Sequence, residues 1–133
     1  MSVLIDEFKR EHSEIIETFK EIKELGVLTK EGHAKLMFLA PDLLAHFWKE
    51  DKQFYPVLRK ASEHNKKLKE VLSLFVNGLE AVHGEMLNFF IKYSKGIIDS
   101  TFQREYERLF DALSKRIEHE EEILFLEYKT LQC

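Results

Sequence analysis

The sequence predicts an all-α protein, an up-down-up-down antiparallel four-helix bundle, on three observations. Apolar residues recur at helical spacing almost without interruption, and no stretch alternates as a strand does. Glycine and proline are scarce, five and two in 133 residues, so few points can break a helix. The breaks that exist, "LGVLTKEG" at 25–32, "ASEHNKK" at 61–67 and "SKGIIDST" at 94–101, are short, and short connections make neighbouring helices antiparallel.

The first helix spans 3–25, with Ser2 as its N-cap and Gly26 closing its C-terminus. Its seam reads Ile5, Phe8, His12, Ile15, Phe19, Ile22. The second spans 30–61 behind Thr29 as N-cap, with 30–39 as a helical lead-in and Pro41 in the first turn of the main helix. Its seam reads Leu36, Leu39, Leu43, His46, Glu50, Phe54, Val57. The third, 64–95, ends at Gly96 and buries Leu72, Phe75, Leu79, His83, Met86, Phe90 and Tyr93. The fourth, 100–131, opens on Ser100 and Gln103 in the pattern of a capping box. Its seam is Phe102, Tyr106, Leu109, Leu113, Arg116, Glu120, Leu124, Leu131.

Length argues for one domain over 1–133, able to bury a core without disulfide staples. Net charge is −4 with no basic block, which argues against nucleic acid as a partner. The sole cysteine, Cys133, supports neither a disulfide framework nor a thiolate site, and the chain fits a reducing cytoplasm. No signal peptide is visible and no run of 18 apolar residues exists, so no membrane span is expected.

Every seam carries ionisable residues near the middle of an otherwise apolar line. Burying one unsatisfied polar group costs roughly 2–7 kcal/mol, and an ion more. A single such residue can be satisfied locally: His12 as a hydrogen-bonded core histidine, His46 with Glu50 as a buried pair, His83 by facing outward. Several of them, on all four helices at matching depth, point to a shared cation. Carboxylates cancel its charge and neutral imidazoles lend it nitrogen lone pairs. His46 and Glu50, four residues apart, lie on one face and reach the same ion or two adjacent ions. Imidazole and carboxylate without thiolate favour iron, manganese or zinc. His33 and His64 stand in polar segments and read as solvated. Glu121 and Glu122 read as a solvated helix face. Phe47, Trp48, Phe54, Tyr55, Phe89, Phe90 and Phe125 read as core filler, some of which would line a dry pocket around a metal.

These residues resemble the hemerythrin-like proteins, the cation-binding HHE domain, over essentially the whole chain. "FKREHSEI" is similar to the family's first helix, with His12 as its histidine. "HFWKEDKQFYP" is similar to the second-helix motif, with His46 and Glu50, and "VHGEMLNFF" resembles the third-helix segment, with His83. Two positions depart from the pattern. Leu79 stands where the oxygen-carrying branch has a further histidine, and in "RIEHEEEILFL" Arg116 stands where a histidine is expected. A guanidinium is not a ligand. Either His119, one turn on, replaces the missing donor with Glu120 as carboxylate, or Arg116 pairs with Glu120 and leaves one metal, or the site is degenerate.

The resemblance implies non-haem iron, two ions bridged by Glu50 and Glu120, with one iron or another divalent metal as the alternative. His12, His46, His83 and His119 would donate nitrogen. It implies a metal- and small-ligand-binding protein rather than an enzyme, taking O2 or NO for oxygen handling, storage or sensing. The alternatives are a di-iron enzyme or repair factor that acts on NO or peroxide or donates iron, and a signalling bundle. Repair members usually carry a cysteine-containing N-terminal segment; here the chain opens on the first helix, which favours the other readings.

Overall fold

The structure, a computed structural model, describes residues 3–94 and 100–131, apart from the side chains at 76, 77, 79 and 80. Among these residues the chain is all-helical, with no strand. Helix α1 (Val3–Leu25) is followed by α2 (Lys30–Lys49), a π-helical turn π1 (Glu50–Phe54) and α3 (Tyr55–Ser62). Then come α4 (Lys66–Tyr93), α5 (Ser100–His119), a second π-helical turn π2 (Glu120–Leu124) and α6 (Phe125–Leu131). Helical backbone is unbroken across α2–π1–α3 and again across α5–π2–α6. α1 packs on α2 and α5, α2 on α4, α3 on α4 and α6, and α4 on α5. No helix among the described residues is long and apolar enough to cross a membrane.

The ends of the elements follow local chemistry. α1 stops at Gly26, whose φ of 99° is left-handed and strains any side chain. The Thr29 hydroxyl accepts from the Gly32 N–H at 3.0 Å and starts α2, and the Asn65 side chain accepts from the Leu68 N–H at 3.1 Å to start α4. α2 is one helix that runs through Pro41, with no separate lead-in. Proline cannot donate to the carbonyl four residues back, so this helix gives up one hydrogen bond and keeps its direction through packing. Ser100 lies inside α5 as its first residue. Ser2, Gly96 and the side chain of Leu79 lie outside the described residues.

The α1 seam holds residue for residue: Ile5, Phe8, His12, Ile15, Phe19 and Ile22 are all buried. The second and fourth seams hold as far as Phe54 and Leu124, save that Ile117 is buried in place of Arg116. Beyond Glu50 the buried residues are Phe54, Tyr55 and Leu58, while Val57 is 37% exposed. Beyond Glu120 they are Leu124, Phe125 and Tyr128, while Leu131 is 38% exposed. The cause is the same in both places. In each π-turn an N–H reaches back five residues, Tyr55 to the Glu50 carbonyl and Phe125 to the Glu120 carbonyl. The extra residue moves the inward positions that follow on by one, from Val57 to Leu58 after Glu50 and from Glu127 to Tyr128 after Glu120. Two further expectations fail on packing. Trp48 is 59% exposed and contributes little to the core. His33 is half-buried beside Phe102, 5.8 Å between ring centres, and only partly solvated.

The buried apolar residues fall into two groups. One runs from Ile15, Phe19 and Leu43 to Phe102 and Ile117; the other gathers Ile5, Phe8, Phe54, Leu58, Leu124 and Tyr128. His12, His46, Glu50 and Glu120 are buried as well and follow the same helices at the level between these groups.

Candidate metal centre

Four ionisable side chains at 1–3% exposure define the centre: His12 from α1, His46 from α2, Glu50 at the first residue of π1 and Glu120 at the first residue of π2. Single-turn π insertions concentrate at functional sites because the widened turn redirects one side chain without ending the helix. Here each insertion begins at a central carboxylate.

The histidines are held from behind by other carboxylates. His12 Nδ1 lies 2.8 Å from Glu121, and His46 Nδ1 lies 2.6 Å from Glu11. An ionised carboxylate only accepts, so both Nδ1 atoms donate and carry the proton. Each neutral ring then turns its Nε2 lone pair inward. His12 Nε2 stands 3.3 Å from a Glu120 oxygen and His46 Nε2 stands 3.3 Å from a Glu50 oxygen. Among the described residues neither Nε2 makes a hydrogen bond, and neither does Glu50 Oε2, although all three are buried. Lone pairs facing carboxylate oxygens are repulsive unless a proton or a cation lies between them. One ligand atom each from His12, His46 and Glu50 lies within 4.8 Å of the others, a span that fits one ion.

Ring contacts fix the orientations. His12 stacks on Phe125 with planes 8° apart, and Phe8 meets the His46 ring edge-on at 5.2 Å. Tyr55 donates its hydroxyl to Glu120, which ties α3 to π2. Lys49 joins Glu11 to Glu7, at 2.7 Å from the latter, and so clamps α2 to α1 outside His46.

The electrostatics follow from burial and proximity. Burial, then the charge of Glu120, pushes Glu50 well above the ordinary carboxylate range. Burial acts the same way on Glu120, but the close approach of Glu50 and His12 and the hydroxyl of Tyr55 outweigh it and bring that carboxyl down to about 2. Burial pulls His12 down, yet Glu120 and Glu121 together raise it; in His46 burial prevails and the net is downward. Burial followed by the charges of Glu120 and Glu50 raises Tyr55 well above its usual range, so it stays a donor.

The other candidates stand further out. His83, from α4, stacks on Phe47 at 3.8 Å, with Nε2 3.8 Å from Glu50 and Nδ1 3.7 Å from Asp51. His119 packs on Phe75 at 5.1 Å, and its Nδ1 is buried without a hydrogen bond among the described residues. Neither belongs to the three-residue cluster. Arg116 points toward α4, donating to the Phe75 carbonyl at 3.5 Å, with its guanidinium against Gly78. It forms no ion pair with Glu120, because the side chain leans away along α4.

Sequence reasoning missed three participants. Glu121, half-exposed at 33%, is no solvated bystander: it accepts from His12. Glu11 carries no mark that separates it from other acids of α1. Tyr55 reads as filler until the π-turn brings it inward. One signal was present, the acidic doublets Glu50–Asp51 and Glu120–Glu121. In each, the first carboxylate faces the centre and the second lies behind a histidine, Asp51 near His83 and Glu121 at His12.

A narrow seam, too tight to hold a water molecule, adjoins the donor atoms, lined by Leu43, Phe47, Leu113, Ile117 and Arg116 along with the four central residues. A wider groove of about 460 Å³ between α1 and α2 opens to solvent and backs onto His46 beside Glu11 and Lys49, away from the inward nitrogens. A family model described as the hemerythrin HHE cation binding domain matches residues 3–128. Comparison with curated proteins and with solved structures returned no match.

Proposed function

Because the chain belongs to the hemerythrin HHE cation-binding family, we propose that it holds non-haem iron and binds O2 or another small diatomic ligand there, for oxygen handling, storage or sensing. In this reading residues 1–133 form one domain whose four helical stretches run up-down-up-down around the centre. The observation that carries the reading is the pair of buried, unbonded Nε2 atoms on His12 and His46, aimed at Glu120 and Glu50.

His12, His46, Glu50 and Glu120 would hold the first ion; His83 and His119 are the remaining donors for a second. Iron, when bound, supplies the electrons and the open coordination position that a diatomic ligand needs. The chain does the rest. Glu11 and Glu121 keep protons on the outer nitrogens, so the inner ones remain available. Tyr55 orients Glu120. Leu43, Phe47, Leu113 and Ile117 line the seam with apolar surface, which suits a small uncharged gas better than a polar substrate.

Anaerobic loading with ferrous iron, followed by exposure to air, tests the reading. A visible charge-transfer band that reverses on deoxygenation is the expected result. Irreversible oxidation with turnover of peroxide or NO would move the assignment to an enzyme. Failure to retain iron would overturn both.

A further inference from the structure

Helix α2 is apolar on two opposite sides. Its inward seam, Leu36, Leu39, Leu43 and His46, is buried. Its outer side carries a second line, Ala34, Phe38, Pro41, Ala45 and Trp48, at spacings of four, three, four and three residues, and all five are exposed. That is the spacing by which helices interlock side by side, and a helix with apolar residues all round is one covered all round. α4 extends the surface. His83 stacks on Phe47 of α2, and one and two turns further on α4 stand Leu87 and Ile91, both exposed. The other flank of α4 faces α5, with Glu85 on Arg108 and Lys92 on Glu105, each at 2.9 Å. Phe102 packs on Tyr93 at the end of α4 and on His33 near the start of α2, so these two helices run in opposite directions and Ile91 is level with Phe38. Phe38, Pro41, Leu44, Trp48, Leu87 and Ile91 therefore make one apolar face across α2 and α4.

We propose that this face joins two copies of the chain in a twofold dimer. Three properties fit a second copy. The stripe is symmetric: Phe38, Pro41, Ala45 and Trp48 read large, small, small, large at spacings of three, four and three, the same in both directions. Two stripes laid antiparallel about an axis between Pro41 and Ala45 set Phe38 of each copy against Trp48 of the other, and the small central residues let the helices approach. An isologous contact requires such a self-complementary patch. The extent is right as well. At about 200 Å² for a fully exposed large side chain, Phe38, Trp48, Leu87 and Ile91, exposed by 82, 59, 45 and 63%, present about 500 Å². Pro41, Leu44 and the alanines bring the face toward the roughly 800 Å² that each partner of a standard dimer buries. Finally, the border does not select a partner by charge. Lys35 is paired with Glu21, Lys49 with Glu7 and Glu11, Glu85 with Arg108 and Lys92 with Glu105, all within the chain. An anionic lipid surface calls for a basic border, which these pairs and a net charge of −4 do not supply. The contact uses none of the central donors and does not depend on an ion.

Sedimentation equilibrium of the full chain over the micromolar range is the test, with fluorescence of Trp48, the sole tryptophan, followed in parallel. A mass of twice 15.8 kDa is expected, falling to the single chain on dilution as the Trp48 emission moves to the red. Phe38→Glu lies outside the core, so it should keep the helical spectrum while raising the dimer Kd by at least about 30-fold. Leu126→Glu, at an exposed apolar residue on α6, should leave the dimer intact. A wild type that stays a single chain throughout overturns the proposal, including one whose Trp48 emission shifts only on phosphatidylcholine vesicles, which would make lipid the occupant. A dimer that Phe38→Glu leaves unchanged, or that Leu126→Glu weakens as much, overturns it too, because the contact then lies elsewhere.

Discussion

His12 and His46 each commit one nitrogen to a peripheral carboxylate and leave the other inward without a partner. Such outer carboxylates fix the tautomer and raise the basicity of the ligand nitrogen. Glu121→Ala is therefore expected to weaken iron binding roughly 10–100-fold with little loss of helix content, measured by competition with a chelator. Acidification should also weaken it. Glu50 and His12 are both raised, so each tends to hold a proton that a cation must displace. Binding in weak buffer should release protons, and affinity should fall as pH is lowered. Stability of the metal-free chain carries two opposite signs. Glu120, lowered from 4.5 to about 2, contributes stability above its unfolded value that is lost as pH falls through that interval. Glu50, raised, contributes below its unfolded value and penalises the fold as pH rises through its folded value. Glu50→Gln should therefore stabilise the metal-free protein at neutral pH by on the order of 1 kcal/mol in urea titration while abolishing tight iron binding. At this scale the central four residues were legible because a charged group in an apolar seam is conspicuous. Glu11 and Tyr55 were not, because their significance depends on a partner from another helix.

The π-turns decide what could be read of the elements. Heptad spacing predicts α1 throughout, since nothing there departs from the α-helical repeat. It fails after Phe54 and Leu124, beyond the one residue that each π-turn adds. Val57 and Leu131 are apolar and at the right spacing for an α-helix, so no pattern in either segment alone reveals the shift. The echo between the segments was the available clue: an acidic doublet opens each, and an aromatic residue, Tyr55 or Phe125, follows five residues after the central glutamate. Deleting the exposed Lys52 should convert π1 to an α-turn while Tyr55 and Leu58 stay inward, because the deletion moves them to the α-helical places four and seven residues after Glu50. The wide turn that sets the Glu50 side chain is lost, so iron retention should fall while denaturant unfolding changes little.

Over the whole molecule, two apolar groups flank a level of buried ionisable side chains. Among the described residues the ends of the long helical stretches were legible to within about two residues, because caps such as Thr29 and Asn65 and the glycine at 26 act locally. What lay beyond the sequence was how far each donor reaches, which depends on the rotation of whole helices: His12, His46 and Glu50 converge, whereas His119 stays beside Phe75. A fold with such a centre should be linked to its ion. Free iron at 100 times its Kd should add about 2.7 kcal/mol, and a chelator should remove it, lowering Tm by roughly 10 °C in a chain of this size. The most direct test of the centre is iron counted per chain after anaerobic loading and desalting, in wild type and in His46→Ala. Tightly held iron in the wild type, lost in His46→Ala while the helical spectrum persists, is the predicted result. A wild type that retains none, or a His46→Ala protein that retains as much, would contradict it.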